Sequence, residues 1–209
     1  MGRYGVARGV VVAVAVGAGL VGCSSEPVPA NAAGAEPSAT ATATATAVKG
    51  VVIGGKGTPC VLPVSFETAP KWTAEAVTTE FGTLDQGPVA LACEIDAKPA
   101  GNIGFLRVWT GDAKAGGTPR AVLEGFVTAD ENAGQARYSE VTAGALPAAE
   151  VTYTVKGESQ DGPKTERALA VTTPRGAVVV HLGGLDSEEH REMLPAFELA
   201  KKTMAVTAG

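Results

Sequence analysis

The chain has 209 residues, of which 45% are hydrophobic and only 5% aromatic, and it contains 27 glycines and 13 prolines. This composition is typical of a β-rich domain with many turns. Lys and Arg number 17 against 22 Asp and Glu, giving a formal net charge of −5. The charge argues against nucleic acid as a partner and against a polybasic membrane-surface patch, because both need clustered basic side chains.

Residues 1–22 have the layout of a signal peptide. Arg3 and Arg8 form a short basic start, and an apolar run follows from Val10 to Val21. The run is shorter than the ~20 apolar residues that a transmembrane helix needs. It leads into Leu20-Val21-Gly22-Cys23, which resembles the lipobox of bacterial lipoproteins.

The lipobox resemblance implies cleavage before Cys23 and attachment of lipid, with acyl chains such as palmitate, to the Cys23 thiol. Two or three acyl chains together hold a protein at a membrane almost permanently. We therefore expect the mature protein to be lipid-anchored at the extracytoplasmic face of the cell membrane. The alternative is an ordinary secreted protein with a chance cysteine at the cleavage site.

Residues 23–49 are predicted to form a disordered tether. They are mostly small and polar, and alanine alternates with threonine from Ala39 to Ala47. Such a segment cannot bury enough apolar surface to offset the entropy of ordering it. A β-strand is the alternative for the alternating run, but it has no large side chain to pack. Residues 50–209 are predicted to form a single domain, held away from the membrane by the tether.

Two segments of this domain alternate apolar with smaller or polar residues, which predicts β-strands. Their apolar positions are Cys60, Leu62, Val64 and Phe66 in the first, and Val89, Leu91, Cys93 and Ile95 in the second. Both cysteines fall on apolar faces, and an exported chain meets oxidising conditions, so we predict a Cys60–Cys93 disulfide. A metal site is the weaker alternative, because no nearby histidine completes a tetrahedral set.

A third strand is predicted from Ile103 to Thr110, with Leu106 and Val108 on one face. Its other face carries Phe105, Arg107 and Trp109, which form a candidate partner surface. A helix is then predicted to begin after Thr118, with Thr118 as N-cap and Pro119 at the first position, and to end by Asn132 to Gly134.

The C-terminal half reads as a β-meander followed by a helix. Strands are predicted at about 136–142, 151–155, 168–172 and 177–182, joined by turn-forming segments such as Pro174-Arg175-Gly176. The last helix is predicted from an Asp186 N-cap to about Ala205, with a kink or restart at Pro195. The expected fold is α+β, an antiparallel sheet of about 6–7 strands covered by helices.

Three stretches resemble actinobacterial lipoproteins of LpqN type, whose domain resembles the photosystem subunit PsbP. They are Phe66 to Trp72, the helix after the Trp109 strand, and Leu194 to Glu198. The resemblance covers roughly Cys60 to Val206. It implies a PsbP-like fold and a non-enzymatic envelope domain that binds proteins or small amphiphiles, and it supplies no catalytic motif.

No pattern in the chain predicts catalytic, cofactor-binding or metal-binding residues. The segment Gly54 to Thr58 lacks the order of a phosphate loop and precedes a strand. No serine lies in a nucleophile elbow, so His181 is expected to be a structural residue at a strand end and His190 a surface residue of the last helix. Asp130 and Glu131 are expected to be solvated acids at a helix end rather than a glycosidase pair.

The leading functional hypothesis is therefore an envelope domain that is not an enzyme and binds a protein partner through its acidic surface and the Phe105, Arg107 and Trp109 face. The alternative is a carrier or sensor for a small hydrophobic ligand held between sheet and helix, which needs a cavity of a few hundred Å³. Hydrolysis of a wall polymer needs a cleft with a perturbed carboxylate.

Overall fold

A computed structural model of the chain describes residues 50–78, 82–113, 117–157 and 162–208. The predicted signal peptide, the predicted lipidation site Cys23 and the predicted tether lie outside these residues. The strands are β1 (Val52–Ile53), β2 (Val64–Glu67), β3 (Thr73–Ala76), β4 (Asp85–Gln86), β5 (Val89–Asp96), β6 (Gly104–Thr110), β7 (Ala133–Ala143), β8 (Leu146–Val155), β9 (Lys164–Thr173), β10 (Gly176–Gly184) and β11 (Ala205–Val206). The helices are α1 (Pro119–Thr128) and α2 (Ser187–Thr203).

The main sheet has the strand order β3-β5-β6-β10-β9-β8-β7, with β4 also paired to β5. Its named strand pairs are antiparallel. The four strands β7 to β10 are consecutive neighbours in the sheet, as the meander prediction expected. β6 lies beside β10 and not beside β7, so the chain crosses over through α1 before it enters the meander.

Each face of the main sheet has its own apolar core, because successive side chains of a strand point to opposite faces. On one face α1 buries Val122, Leu123, Phe126 and Val127 against the sheet. We call this the α1 face. On the other face, the α2 face, α2 packs together with β2 and the residues around Cys60. The sheet is thus the middle layer of the described residues.

A small sheet of order β1-β2-β11 joins the two ends of the domain. Val206 of β11 lies opposite Val64 of β2, and Val52 of β1 lies opposite Glu67. The disulfide joins Cys60, which precedes β2, to Cys93 of β5, with the two Cα atoms 5.9 Å apart. The predicted bridge is therefore present, and it links the small sheet to the main sheet within the core of the α2 face.

The β7–β8 turn is fastened to the end of α2. Gly144 donates its N–H to the carbonyl of Lys201 at 2.8 Å. Its φ is +55°, and an added Cβ would collide with the carbonyl oxygen of Met204. Glycine is therefore required at this position both by the backbone conformation and by the close approach.

Both helices begin at the predicted caps. The Thr118 hydroxyl accepts from the N–H of Ala121 at 3.2 Å, and Pro119 is the first residue of α1. α2 continues from Ser187 to Thr203 with Pro195 inside it, so the helix does not restart there. Neither helix among the described residues has the length and apolar character needed to cross a membrane.

Replacing the cap of α2 is expected to destabilise the domain. Asp186 Oδ1 accepts from the N–H groups of Glu188 and Glu189 at 2.8 and 2.9 Å. Asp186→Ala removes this acceptor, and we expect the free energy of unfolding of the full chain to fall by about 1 kcal/mol in urea denaturation. Asp186→Asn keeps an acceptor and serves as the control. Equal losses in the two variants would contradict a capping role.

The α+β class and the antiparallel sheet agree with the sequence prediction. The main sheet of the described residues has eight strands where about 6–7 were predicted, because the prediction did not include the short strands β3 and β4. Strands this short carry no alternating pattern that a sequence window could detect.

Candidate functional site

The candidate surface predicted from β6 lies on the α1 face, but its three side chains differ in exposure. Trp109 is buried against Phe126 of α1, with an edge-on ring contact at 5.5 Å between centroids. Arg107 is partly exposed, and its Nε donates to Glu94 Oε1 at 2.7 Å. The Arg107 guanidinium also lies over the Phe105 ring, 4.8 Å from its centroid. α1 therefore covers only the Trp109 end of this surface.

Four polar side chains meet beside this surface, and we call them the polar cluster. Glu166 of β9 is 6% exposed and lies at its centre. Its Oε1 accepts from Lys164 Nζ at 2.8 Å, and its Oε2 contacts His181 Nε2 at 2.8 Å. The Tyr153 hydroxyl donates to Oε2 at 3.3 Å. The strand register brings these side chains together. Tyr153 of β8 lies directly opposite Glu166 of β9, and His181 lies on β10, the other neighbour of β9.

Electrostatics keep Glu166 ionised in this cluster. Burial alone raises the pKa of Glu166, but the hydrogen bonds and charges of His181 and Lys164 outweigh it and lower that pKa to about 2. An ionised carboxylate only accepts hydrogen bonds, so His181 Nε2 carries a proton. Burial, followed by the charge and hydrogen bond of Glu166, raises the pKa of Tyr153, which therefore remains a neutral phenol.

A cavity of about 480 Å³ opens where α1 ends. It is lined by Thr83, Leu84, Asp85, Gln86, Leu91, Glu94, Arg107, Trp109, Asp130, Val155, Glu166 and His181. Two of the lining side chains keep a buried nitrogen, Trp109 Nε1 and His181 Nδ1, that has no hydrogen-bond partner among the described residues. Such orphaned groups are costly in a protein interior. The inner wall of the cavity therefore has unused hydrogen-bonding capacity.

The rim of the cavity is acidic, and a side-chain hydrogen bond links its two sides. Gln86 of β4 donates its amide to the carbonyl of Phe126 in α1 at 3.1 Å. This bond brings Asp85, which precedes Gln86, to the same cavity as Asp130, which follows α1. Asp85 accepts from the Thr83 hydroxyl at 3.0 Å, and Asp130 accepts from the N–H of Asn132 at 2.9 Å.

The second histidine contradicts its prediction. His190 was expected on the surface of the last helix, but it is only 2% exposed. The first turns of α2 bury it against the sheet, where its main chain lies near Gly184. Burial, followed by the charge of Arg167, lowers the pKa of His190 to about 4, so the ring is neutral near pH 7. The described residues contain no group of three or more side chains that could together hold a metal ion.

Sequence reasoning missed the polar cluster and the acidic rim. Alternation along β9 places Glu166 on the same face as Ala168 and Ala170, which are buried. A glutamate that alternates with alanines along a strand was the sequence signal that could have indicated a buried charge. Its partners could not be identified from that signal, because they depend on the register of β8 and β10.

Comparisons with known proteins give a family and similar solved structures. The solution structure of cyanobacterial PsbP (CyanoP) from Synechocystis sp. PCC 6803 is similar to this chain, with a TM-score of 0.47 and 13% identity over 69% of this chain and 86% of that one. A search of curated proteins finds no match. A family model described as "Uncharacterised lipoprotein" matches residues 29–204, which is most of the chain and most of the described domain. The chain therefore belongs to this lipoprotein family.

Proposed function

We propose that this lipoprotein is a non-enzymatic binding protein of the cell envelope whose domain binds a small ligand in the cavity beside α1. One observation carries the proposal. The cavity of about 480 Å³ has Trp109 and His181 in its wall, each with a buried nitrogen that lacks a partner among the described residues. Ligand sites combine apolar walls with a few polar groups in this way, within a similar range of volumes.

Membrane anchoring follows from membership of a lipoprotein family. The finer proposal is that lipid attached to Cys23 holds the mature chain at the extracytoplasmic face, with residues 23–49 as a spacer. The lipobox-like Leu20-Val21-Gly22-Cys23 and the apolar run before it support this proposal. The spacer would let the cavity sample a volume several nanometres from the membrane.

Binding without catalysis fits the chemistry of the polar cluster. With a pKa of about 2, Glu166 holds no proton to donate near pH 7. Its carboxylate is also occupied by His181, Lys164 and Tyr153, so it is poorly placed to accept a proton from a substrate. Among the described residues, no serine or cysteine is hydrogen-bonded to His181 as a nucleophile would be.

A protein partner is the second candidate for the same face. Phe105 and Arg107 lie beside the cavity and are partly exposed, and Leu84 at its rim is 60% exposed. An exposed apolar side chain beside an aromatic ring and an arginine is typical of contact surfaces. A partner would bind here by inserting one side chain into the cavity.

The first test is native mass spectrometry of the full chain recovered from the envelope of its own cells. We expect the wild type to retain a small molecule that the Thr83→Trp variant loses, because the new indole fills the cavity from an exposed position. Ser139→Trp, on the exposed strand β7, is the matched control and should retain the molecule. Equal retention by wild type and Thr83→Trp would place the ligand elsewhere and contradict the proposal.

A further inference from the structure

The charges around the cavity are not balanced. Glu166 is paired with Lys164 and His181, and Glu94 is paired with Arg107. Asp85 and Asp130 have no such pairing, because among the described residues no basic side chain lies within ion-pair distance of either carboxylate. Their hydrogen bonds come from neutral donors, the Thr83 hydroxyl and the Asn132 N–H. Two uncompensated negative charges therefore line the same cavity.

A third carboxylate increases the negative potential of this face. Glu75 of β3 lies directly opposite Glu94 of β5 in the sheet. Like charges in directly opposite positions destabilise a sheet. Arg107 compensates Glu94, and no described basic side chain forms an ion pair with Glu75. A cleft with an excess of negative charge attracts ligands of positive charge.

The inner wall of the cavity favours an organic body over a bare ion. Leu91, Trp109 and Val155 provide apolar surface. Trp109 Nε1 and His181 Nδ1 are buried in this wall without a hydrogen-bond partner among the described residues. A hydroxyl group on a ligand can accept from Trp109 Nε1 and form a second hydrogen bond with His181 Nδ1, because a hydroxyl both donates and accepts. The wall thus suits the apolar end of a ligand that carries a hydroxyl group, and the acidic rim suits a positively charged end.

We propose that the cavity binds an organic amine, with its ammonium group between Asp85 and Asp130 and its aromatic or aliphatic body against Trp109 and Leu91. This inference rests on the proposed function, since it names the ligand class of the same site. The Gln86–Phe126 hydrogen bond holds the two aspartates at the rim, so the ammonium meets a prearranged pair of charges. Prearranged charges lose little free energy to reorganisation when a ligand binds.

The test compares three phenols that share a two-carbon side chain and differ in its terminal group, tyramine (ammonium, cationic), tyrosol (hydroxyl, neutral) and phloretate (carboxylate, anionic). Isothermal titration calorimetry on the purified full chain is expected to give a Kd for tyramine on the order of 1 mM or below, as ligand efficiency allows for a molecule of this size. Tyrosol should bind about tenfold more weakly, and phloretate more weakly still. Added salt should weaken tyramine binding and leave tyrosol binding unchanged.

Variants separate the charge effect from a loss of structure. Asp85→Asn and Asp130→Asn keep their hydrogen-bond acceptors, and each is expected to weaken tyramine binding about fivefold with little effect on tyrosol. Glu140→Gln, on the exposed strand β7, is the control and should change neither. Loss of tyrosol binding together with tyramine binding would indicate a structural role for the aspartates and overturn the inference.

The outcomes also distinguish this inference from the proposed function. Tyrosol or phloretate binding as tightly as tyramine would overturn the amine assignment and leave the cavity as a ligand site. Absence of tyramine binding at about 10 mM would overturn the amine assignment as well. Native mass spectrometry of the chain recovered from the envelope then tests, independently of tyramine, whether the cavity holds a ligand.

Discussion

Removing the Cys60–Cys93 disulfide is expected to lower the free energy of unfolding by about 3–4 kcal/mol. The bridge joins residues separated by 33 positions, so it removes much of the conformational freedom of that segment in the unfolded chain. Both cysteines are fully buried, at 1% and 0% exposure, in the core of the α2 face. A loss of this size is a large fraction of the stability of a typical domain.

The measurement is urea denaturation of the full chain as wild type, as the Cys60→Ala/Cys93→Ala double variant, and as wild type under reducing conditions. Reduction controls for the cavity that the alanines leave, because it breaks the bridge and keeps both sulfur atoms. We expect the double variant and the reduced protein to lose similar amounts. An unchanged unfolding midpoint in both would show that the bridge contributes no stability.

Glu166 is expected to make the domain acid-sensitive. Its folded pKa of about 2 lies below the ordinary value of 4.5, so the unfolded state binds more protons between these values. The contribution of Glu166 is therefore fully present above about pH 5 and is lost as the pH falls towards about 2. The shift corresponds to about 3 kcal/mol. Burial opposes this stabilisation, which comes from His181 and Lys164.

Glu166→Gln tests this linkage. Near pH 7 the variant is expected to lose about 3 kcal/mol, because the charges of Lys164 and His181 lose their buried partner. Between about pH 5 and 2 its stability should fall less steeply than that of the wild type, as measured by urea denaturation at several pH values. Glu75→Gln, an exposed carboxylate of the same sheet face, is the control. Parallel pH profiles for wild type and Glu166→Gln would contradict the assignment.

The long strands of the main sheet could be predicted because they carry their own local signals. Val151, Tyr153 and Val155 alternate with polar residues, and Pro174-Arg175-Gly176 marks the turn between β9 and β10. The small sheet could not be predicted in this way. Its pairing of Val206 with Val64 joins the two ends of the domain, and two-residue strands have no period to read.

The candidate site was only partly predictable for the same reason. The alternation of β6 placed Phe105, Arg107 and Trp109 on one face, and the structure agrees. It could not show that Phe126 covers Trp109, or that Glu166 and His181 lie on the neighbouring strands, because both facts depend on tertiary register. His190 was misjudged because acidic neighbours in the first turn of α2 suggested an exposed face. Assignment to the LpqN type and an actinobacterial origin remain predictions.

The position of the disulfide also determines how the domain carries mechanical load. With the chain anchored through Cys23 as proposed, a pull from the membrane side would enter at Gly50, whose N–H is bonded to the carbonyl of Thr68, and pass into β1. The few hydrogen bonds between this segment and β2 can break one after another. The opening stops at Cys60, where the covalent bond transfers the force to Cys93 in β5. Because β5 is paired with β6 along most of its length, the load would then be shared by hydrogen bonds of the main sheet, and it would enter β5 between Leu91 and Glu94, which line the cavity beside α1.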